Sequence, residues 1–236
     1  MKLNDLMKSL AQKMVATLIV VGVASPCFAD DENQRKRVIT PIAWITIPQQ
    51  ETAVYGLRAG VFLRGSLNYL DAERDLRTDV YGLSLGVLDM GDNSVTGIQF
   101  SGLCGIVNNL QGMQCSGFLN CALEEATGLQ CAVWMNGADY MSGVQIAGLV
   151  NRAEDMNGVQ MASGNVAINI KGIQFGVVNY TKNMSGVQLG LVNLAKENMH
   201  GVQLGVYNSA GGLKGVQIGI VNFNGSRCFP GLMIGW

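Results

Sequence analysis

Apolar and polar positions alternate along most of this chain, in a short unit that keeps returning. Between Met184 and Asn222 three successive stretches read MSGVQLGLVN, MHGVQLGVYN and LKGVQIGIVN. A strand period of two puts Val187, Leu189 and Leu191 on one face of such a unit. Gly186, Gln188 and Gly190 fall on the other. The copies are marked by the Gly of Gly-x-Gln: Gly97, Gly112, Gly128, Gly143, Gly158, Gly172, Gly186, Gly201 and Gly215, at intervals of 14 to 16 residues. Gly82 lies a further 15 residues upstream, with Ser84 in place of Gln. A period this short and this constant marks a repeat architecture.

The segments between these strands are patterned too. After the Asn come one residue, then Ala or Thr, polar residues, and Met or Leu, as in Asn151–Met156, Asn193–Met199 and Asn208–Leu213. Val95, Leu110, Ala126, Met141, Ile170 and Met184 take the same last place elsewhere. A free hairpin loop has no need of an apolar residue there. The second side of a coil does, because it packs on the core. The copies from Gly97 to Gly143 carry an extra small residue, as in GVQIAGLVN. Those from Gly172 onward lack it, as in GIQFGVVN. One inserted residue in a fixed strand has the signature of a β-bulge. The copy at Gly158 (GVQMASGNVAINIK) is the least regular.

The pattern predicts an all-β chain, a β-solenoid of about ten 14–16-residue coils stacked about 4.8 Å apart. Equal positions then sit above one another. Gln99, Gln114, Gln130, Gln145, Gln160, Gln174, Gln188, Gln203 and Gln217 are expected to form one amide ladder. Asn151, Asn179, Asn193, Asn208 and Asn222 are expected to form a second. The alternative is an antiparallel outer-membrane barrel, for which residues 54–63, the ten copies and residues 229–236 supply twelve strands. A barrel has two unlike ends and calls for an alternating period near thirty. The units here are related by simple translation, which favours the solenoid.

The flanks read differently. Residues 1–29 have the form of an export signal: Lys2, Lys8 and Lys13, the apolar run Met14–Ala24, then Cys27-Phe28-Ala29 before Asp30. The apolar run is too short to span hydrocarbon. Residues 30–79 read as an N-terminal extended and capping segment. It comprises a charged start at 30–37, an edge strand within VITPIAWITIP (38–48), a strand at 53–63, and a loop or short helix at 66–79. The array runs from 80 to 228, and residues 229–236 form a closing strand with Leu232, Ile234 and Trp236 on one face.

Composition narrows the chemistry. There are 31 glycines in 236 residues, near twice the usual share, and only 14 % charged residues. Export would remove three lysines and one aspartate, so the net charge would fall from −1 to −3. The one basic run, Arg35-Lys36-Arg37, sits beside Asp30, Asp31 and Glu32, so no nucleic-acid surface is expected. His200 is the only histidine, which leaves no His-based metal site or triad. Glu124 and Glu125 are adjacent, point apart in a strand, and read as a polar turn. Cys104, Cys115, Cys121, Cys131 and Cys228 match no metal spacing and read as small apolar core residues, although export permits disulfides. No cofactor is expected.

Tandem GVQxGxxN units, introduced by VYGLR at 54–58 and VYGLSLG at 80–86 and closed by an aromatic terminus, resemble the bacterial surface-repeat-containing proteins over about 54–236. The resemblance implies an exported, envelope-associated protein and transfers no catalytic residue. The function expected is therefore a non-enzymatic envelope or surface scaffold, structural or adhesive, with an unnamed envelope partner. The alternative expectation is a barrel acting as a pore or anchor.

Overall fold

The computed structural model describes residues 38–43, 52–64 and 78–236. The expected export signal, the charged start at 30–37 and most of the loop-or-helix stretch at 66–79 lie outside the described residues. What is described is a single sheet wound into stacked coils. Its elements are β1 (Val38–Ala43), β2 (Thr52–Arg64), β3 (Thr78–Ser116), β4 (Leu119–Ala132), β5 (Met135–Ala147) and β6 (Val150–Met161). β7 (Gly164–Phe175), β8 (Val178–Leu189), β9 (Val192–Leu204), β10 (Tyr207–Asn224) and β11 (Cys228–Gly235) complete it. The sheet order follows the chain order from β1 to β11.

The fold is a β-solenoid of stacked parallel coils of about 15 residues. Each coil pairs with the next in parallel register: Gly158 on Gly172, Gly172 on Gly186, Gly186 on Gly201 and Gly201 on Gly215. A barrel of this connectivity needs antiparallel neighbours, so the twelve-strand barrel is overturned. Among the described residues the one antiparallel pairing is β11 on β10. It lays the closing strand over the last coil, with Met233 beside Gln217. Pro230 lies in this terminal strand, where a missing N–H costs no ladder bond on the open side.

The interior is narrow and built in columns. One apolar column holds Leu110, Ala126, Met141, Met156, Ile170, Met184, Met199 and Leu213 in register. A second holds Ala122, Ala138, Ala153, Ala167, Thr181, Ala195 and Ala210. All are buried. These are the apolar places between the strands, so they form the second side of each coil rather than a loop.

The repeat length varies at two separate places. The extra residue of the early copies is not a bulge. It lengthens the strand by Ser116, Ala132 or Ala147 before the chain bends at the corner. The register shifts lie on the other side, between Ala122 and Glu125, between Thr181 and Asn183, and between Ala210 and Gly212. A residue is tolerated at these sites because neither displaces a stacked interior side chain. The copy at Gly158 lacks the first insertion and is regular in space: Gln160 stacks between Gln145 and Gln174, and Asn165 between Asn151 and Asn179.

Each element touches only its neighbours along the chain, so whole coils are modular. Deleting Gly186–His200 joins Ser185 to Gly201 and restores MSGVQLGVYN. The expected product is folded, gives a β circular dichroism spectrum, and melts slightly below the parent. Loss of the β signal would contradict translational stacking.

Candidate binding surface

The predicted ladder residues are buried. All nine glutamines are fully inaccessible, and from Gln114 to Gln217 each amide nitrogen donates to the amide oxygen one coil earlier, as Gln188 Nε2 does to Gln174 Oε1 at 2.7 Å. The series is unbroken from Gln217 back to Gln99. It ends at Gln99; Ser84, which the pattern places under Gln99, donates its hydroxyl to Asp89 at 2.6 Å instead. The ends are visible as unmet atoms: Gln99 Nε2 and Gln217 Oε1 have no partner.

The asparagines form the second ladder with the opposite sense. Each Nδ2 donates to the Oδ1 one coil later, as Asn179 does to Asn193 at 2.9 Å. Asn151, Asn179, Asn193, Asn208 and Asn222 all belong to it. So do Asn120, Asn136 and Asn165, which the sequence pattern did not bring forward. Asn120 and Asn136 stand in the copies GMQCSGFLN and GLQCAVWMN, whose wording departs from GVQLGLVN. Asn165 was hidden by the irregular wording of its copy. Each Asn also donates across the corner to a backbone carbonyl, as Asn179 does to Leu189 at 2.9 Å. The amides therefore hold coils and corners together and are not a ligand-reading surface.

With Gln turned in, alternation turns the apolar residues of GVQLGLV out. Phe175 and Leu204 of the strand column are exposed, and Val187 and Leu189 are half-buried. At the corner the exposure is greatest, with Val133 62 %, Leu191 56 % and Ile220 68 % exposed. Phe118 and Trp134 stack there with ring centres 4.3 Å apart. From Gly97 to Asn222 no charged residue falls between the Gly and the Asn of any copy. Glu124, Glu125, Asp139, Arg152, Glu154, Asp155, Lys171, Lys182, Lys196, Glu197, His200 and Lys214 all lie in the return segments. The coil thus has an uncharged apolar wall and a charged half.

The thiols divide accordingly. No disulfide links the five described cysteines. Cys104 is buried, as a small apolar core residue would be. Cys115 and Cys131 are not core residues. They stack in register and line a shallow groove in the apolar wall with Phe100, Val133 and Ile146. The physical reason is their place: the fourth residue from Gly has the same parity as Leu189, which points out. Burial pushes the Cys115 thiol up to about 11, with Cys131 adding to the shift, so it is a poor nucleophile.

One buried charge cluster closes the array at its early end. Arg58 bonds to Asp92 and lies 3.5 Å from Asp89, all three being buried. Asp92 stands ten residues after Gly82, where the following coils carry Val107 and Ala122. Burial raises the Asp92 carboxyl to about 7; Arg58 opposes this and Asp89 adds to it. In the unfolded chain an Asp titrates near pH 3.9. Between about pH 4 and pH 7 the native state therefore binds more protons, and stability falls as pH rises through that window. Asp92→Asn is expected to flatten the slope of melting temperature between pH 5 and pH 8. A slope equal to the parent's would contradict it.

Among the described residues no group of three His, Cys, Asp or Glu side chains converges to hold a metal ion. No helix of the described residues is long and apolar enough to cross a membrane. Comparison with family models, with curated proteins and with solved structures finds no match.

Proposed function

We propose that this is an exported, non-enzymatic repeat protein of the cell envelope or surface, a structural or adhesive scaffold whose apolar wall is its binding surface. The separation of charge from apolar exposure carries this reading. Monomeric proteins rarely leave a long apolar strip open unless it binds something. Here one runs from Gly97 to Asn222 while every charge of those copies is kept to the return segments. The recurring amides are committed to the interior, which leaves the wall as the repeated feature offered to a partner. The signal-like residues 1–29 and the resemblance to surface-repeat proteins support the location.

The test is fractionation of cells that express the full chain, followed by N-terminal sequencing. The expected result is recovery with the envelope fraction and a first residue of Asp30. Recovery from the cytoplasm with Met1 intact would overturn the reading.

A further inference from the structure

We infer that the apolar wall docks on a lipid surface, its corner ridge entering the acyl-chain boundary while the charged half stays in water. This rests on the reading of the wall as the binding surface and names what it binds. Three features select hydrocarbon over a second copy of the chain or a protein groove.

The first is shape. The chain bends between successive strands, at Gly190 and Leu191 and at the equivalent pair in neighbouring coils, so the most exposed column follows a corner. Two convex ridges bury little area against each other. A fluid layer of acyl chains moulds itself to a ridge. The column spans nine coils, from Leu103 to Ile220, or about 40 Å at the spacing of neighbouring strands.

The second is hydrogen bonding. Protein interfaces carry about one hydrogen bond per 100–200 Å². The ridge has almost nothing to offer one. Its backbone is committed from coil to coil: Leu191 N donates to Val177 O and Val206 N to Leu191 O, both at 3.0 Å. Apart from the Trp134 indole N–H, the polar side chain in the column is Ser163, and its hydroxyl donates to Gly148 O at 2.7 Å. A surface whose polar groups are met internally is what a hydrocarbon contact requires.

The third is the division of charge. An interfacial element keeps an apolar side in the acyl boundary and a charged side in water, and binding scales with the apolar area buried. The coil has that division all along the array. Trp134, on the ridge, has the amphipathic ring that settles at such a boundary.

The experiment uses the purified chain and vesicles of phosphatidylcholine, with flotation as the readout. The chain is expected to float with the vesicles at low salt and at about 1 M salt alike, because the contact is apolar and not screened. Acyl-chain-brominated lipid is expected to quench the fluorescence component that Trp134→Phe removes. Replacing Val177, Leu191 and Val206 together by Glu is expected to keep the β circular dichroism and to lower vesicle binding at least about tenfold. Lys182→Glu, in the charged half, is expected to leave binding unchanged. Absence of flotation, a triple variant that floats like the parent, or a stable dimer indifferent to vesicles would overturn the inference. Should the triple variant fail to fold, quenching of Trp134 in the parent decides: no quenching overturns it. Envelope recovery in cells without vesicle binding would sink the lipid assignment and leave the scaffold reading standing.

Discussion

Gly186→Ala is expected to destabilise the array by at least about 3 kcal/mol, while Gly137→Ala leaves it as stable as the parent or more so. The Gly of each Gly-x-Gln unit has the same backbone conformation, with φ from 121° to 142° in every copy from Gly97 to Gly215. That region is open to glycine and strained for any residue with a Cβ. Space forbids the change as well. A Cβ on Gly186 would lie far inside contact with the carbonyl oxygen of Gly172, in rigid backbone that cannot yield. Each of these glycines stacks on the previous one, so the clash has no relaxed alternative. Gly137 is buried too, but a Cβ there meets Cys121 Sγ at 3.8 Å, an ordinary contact. The gain at that site comes from the unfolded chain, which loses freedom when Gly becomes Ala, by about 0.4–1 kcal/mol. Thermal or denaturant unfolding of the two variants checks both signs. Equal stability would show that the glycine stack is not a constraint.

Gln188→Leu is expected to cost about 2–4 kcal/mol, and Gln217→Leu less, about 1–3 kcal/mol. Gln188 stands inside the ladder. Removing it leaves Gln174 Oε1 unpaired in a dry interior and Gln203 Nε2 with only the Ser209 carbonyl at 3.3 Å. Each unmet buried group costs about 1–3 kcal/mol. Gln217 stands at the end and bonds one glutamine, so its loss orphans only Gln203 Oε1. A surface change such as Lys196→Ala is expected to cost under about 0.5 kcal/mol. The three variants form a graded series in denaturant midpoint. A Gln188 variant no worse than the Lys196 variant would refute the ladder.

Much of this architecture was legible in the sequence, for a physical reason. A solenoid translates sequence period directly into spatial stacking, so identical words at equal spacing become columns. The nine glutamines and the apolar places from Leu110 to Leu213 follow from counting alone. The choice of parallel coils over a barrel followed from the sameness of neighbouring units. What counting could not supply was which face points inward. A unit such as GVQLG invites the apolar face to the core. In this fold the amides take the interior because stacking meets every donor and acceptor but those at the ends, and the leucines go out. Cys115 and Cys131 were misplaced by the same ambiguity. Asn120, Asn136 and Asn165 were missed because the wording of their copies departs from GVQLGLVN around the corner. The buried Arg58–Asp89–Asp92 group spans 34 residues and sits where the pattern is weakest, so no local spacing announces it.

The opposite senses of the two amide ladders have an electrical consequence. In an α-helix every peptide dipole points the same way, and the sum leaves about half a charge at each end. A single amide ladder would behave likewise, with its donors all aimed toward the early coils, as those of the glutamines are. The asparagine donors aim toward the late coils. Side by side within one narrow interior, the two columns oppose each other coil for coil, and their fields cancel along the axis. Adding a coil adds two opposed interior amide dipoles. The array can therefore grow or shrink by whole units without these two columns building a potential at its ends.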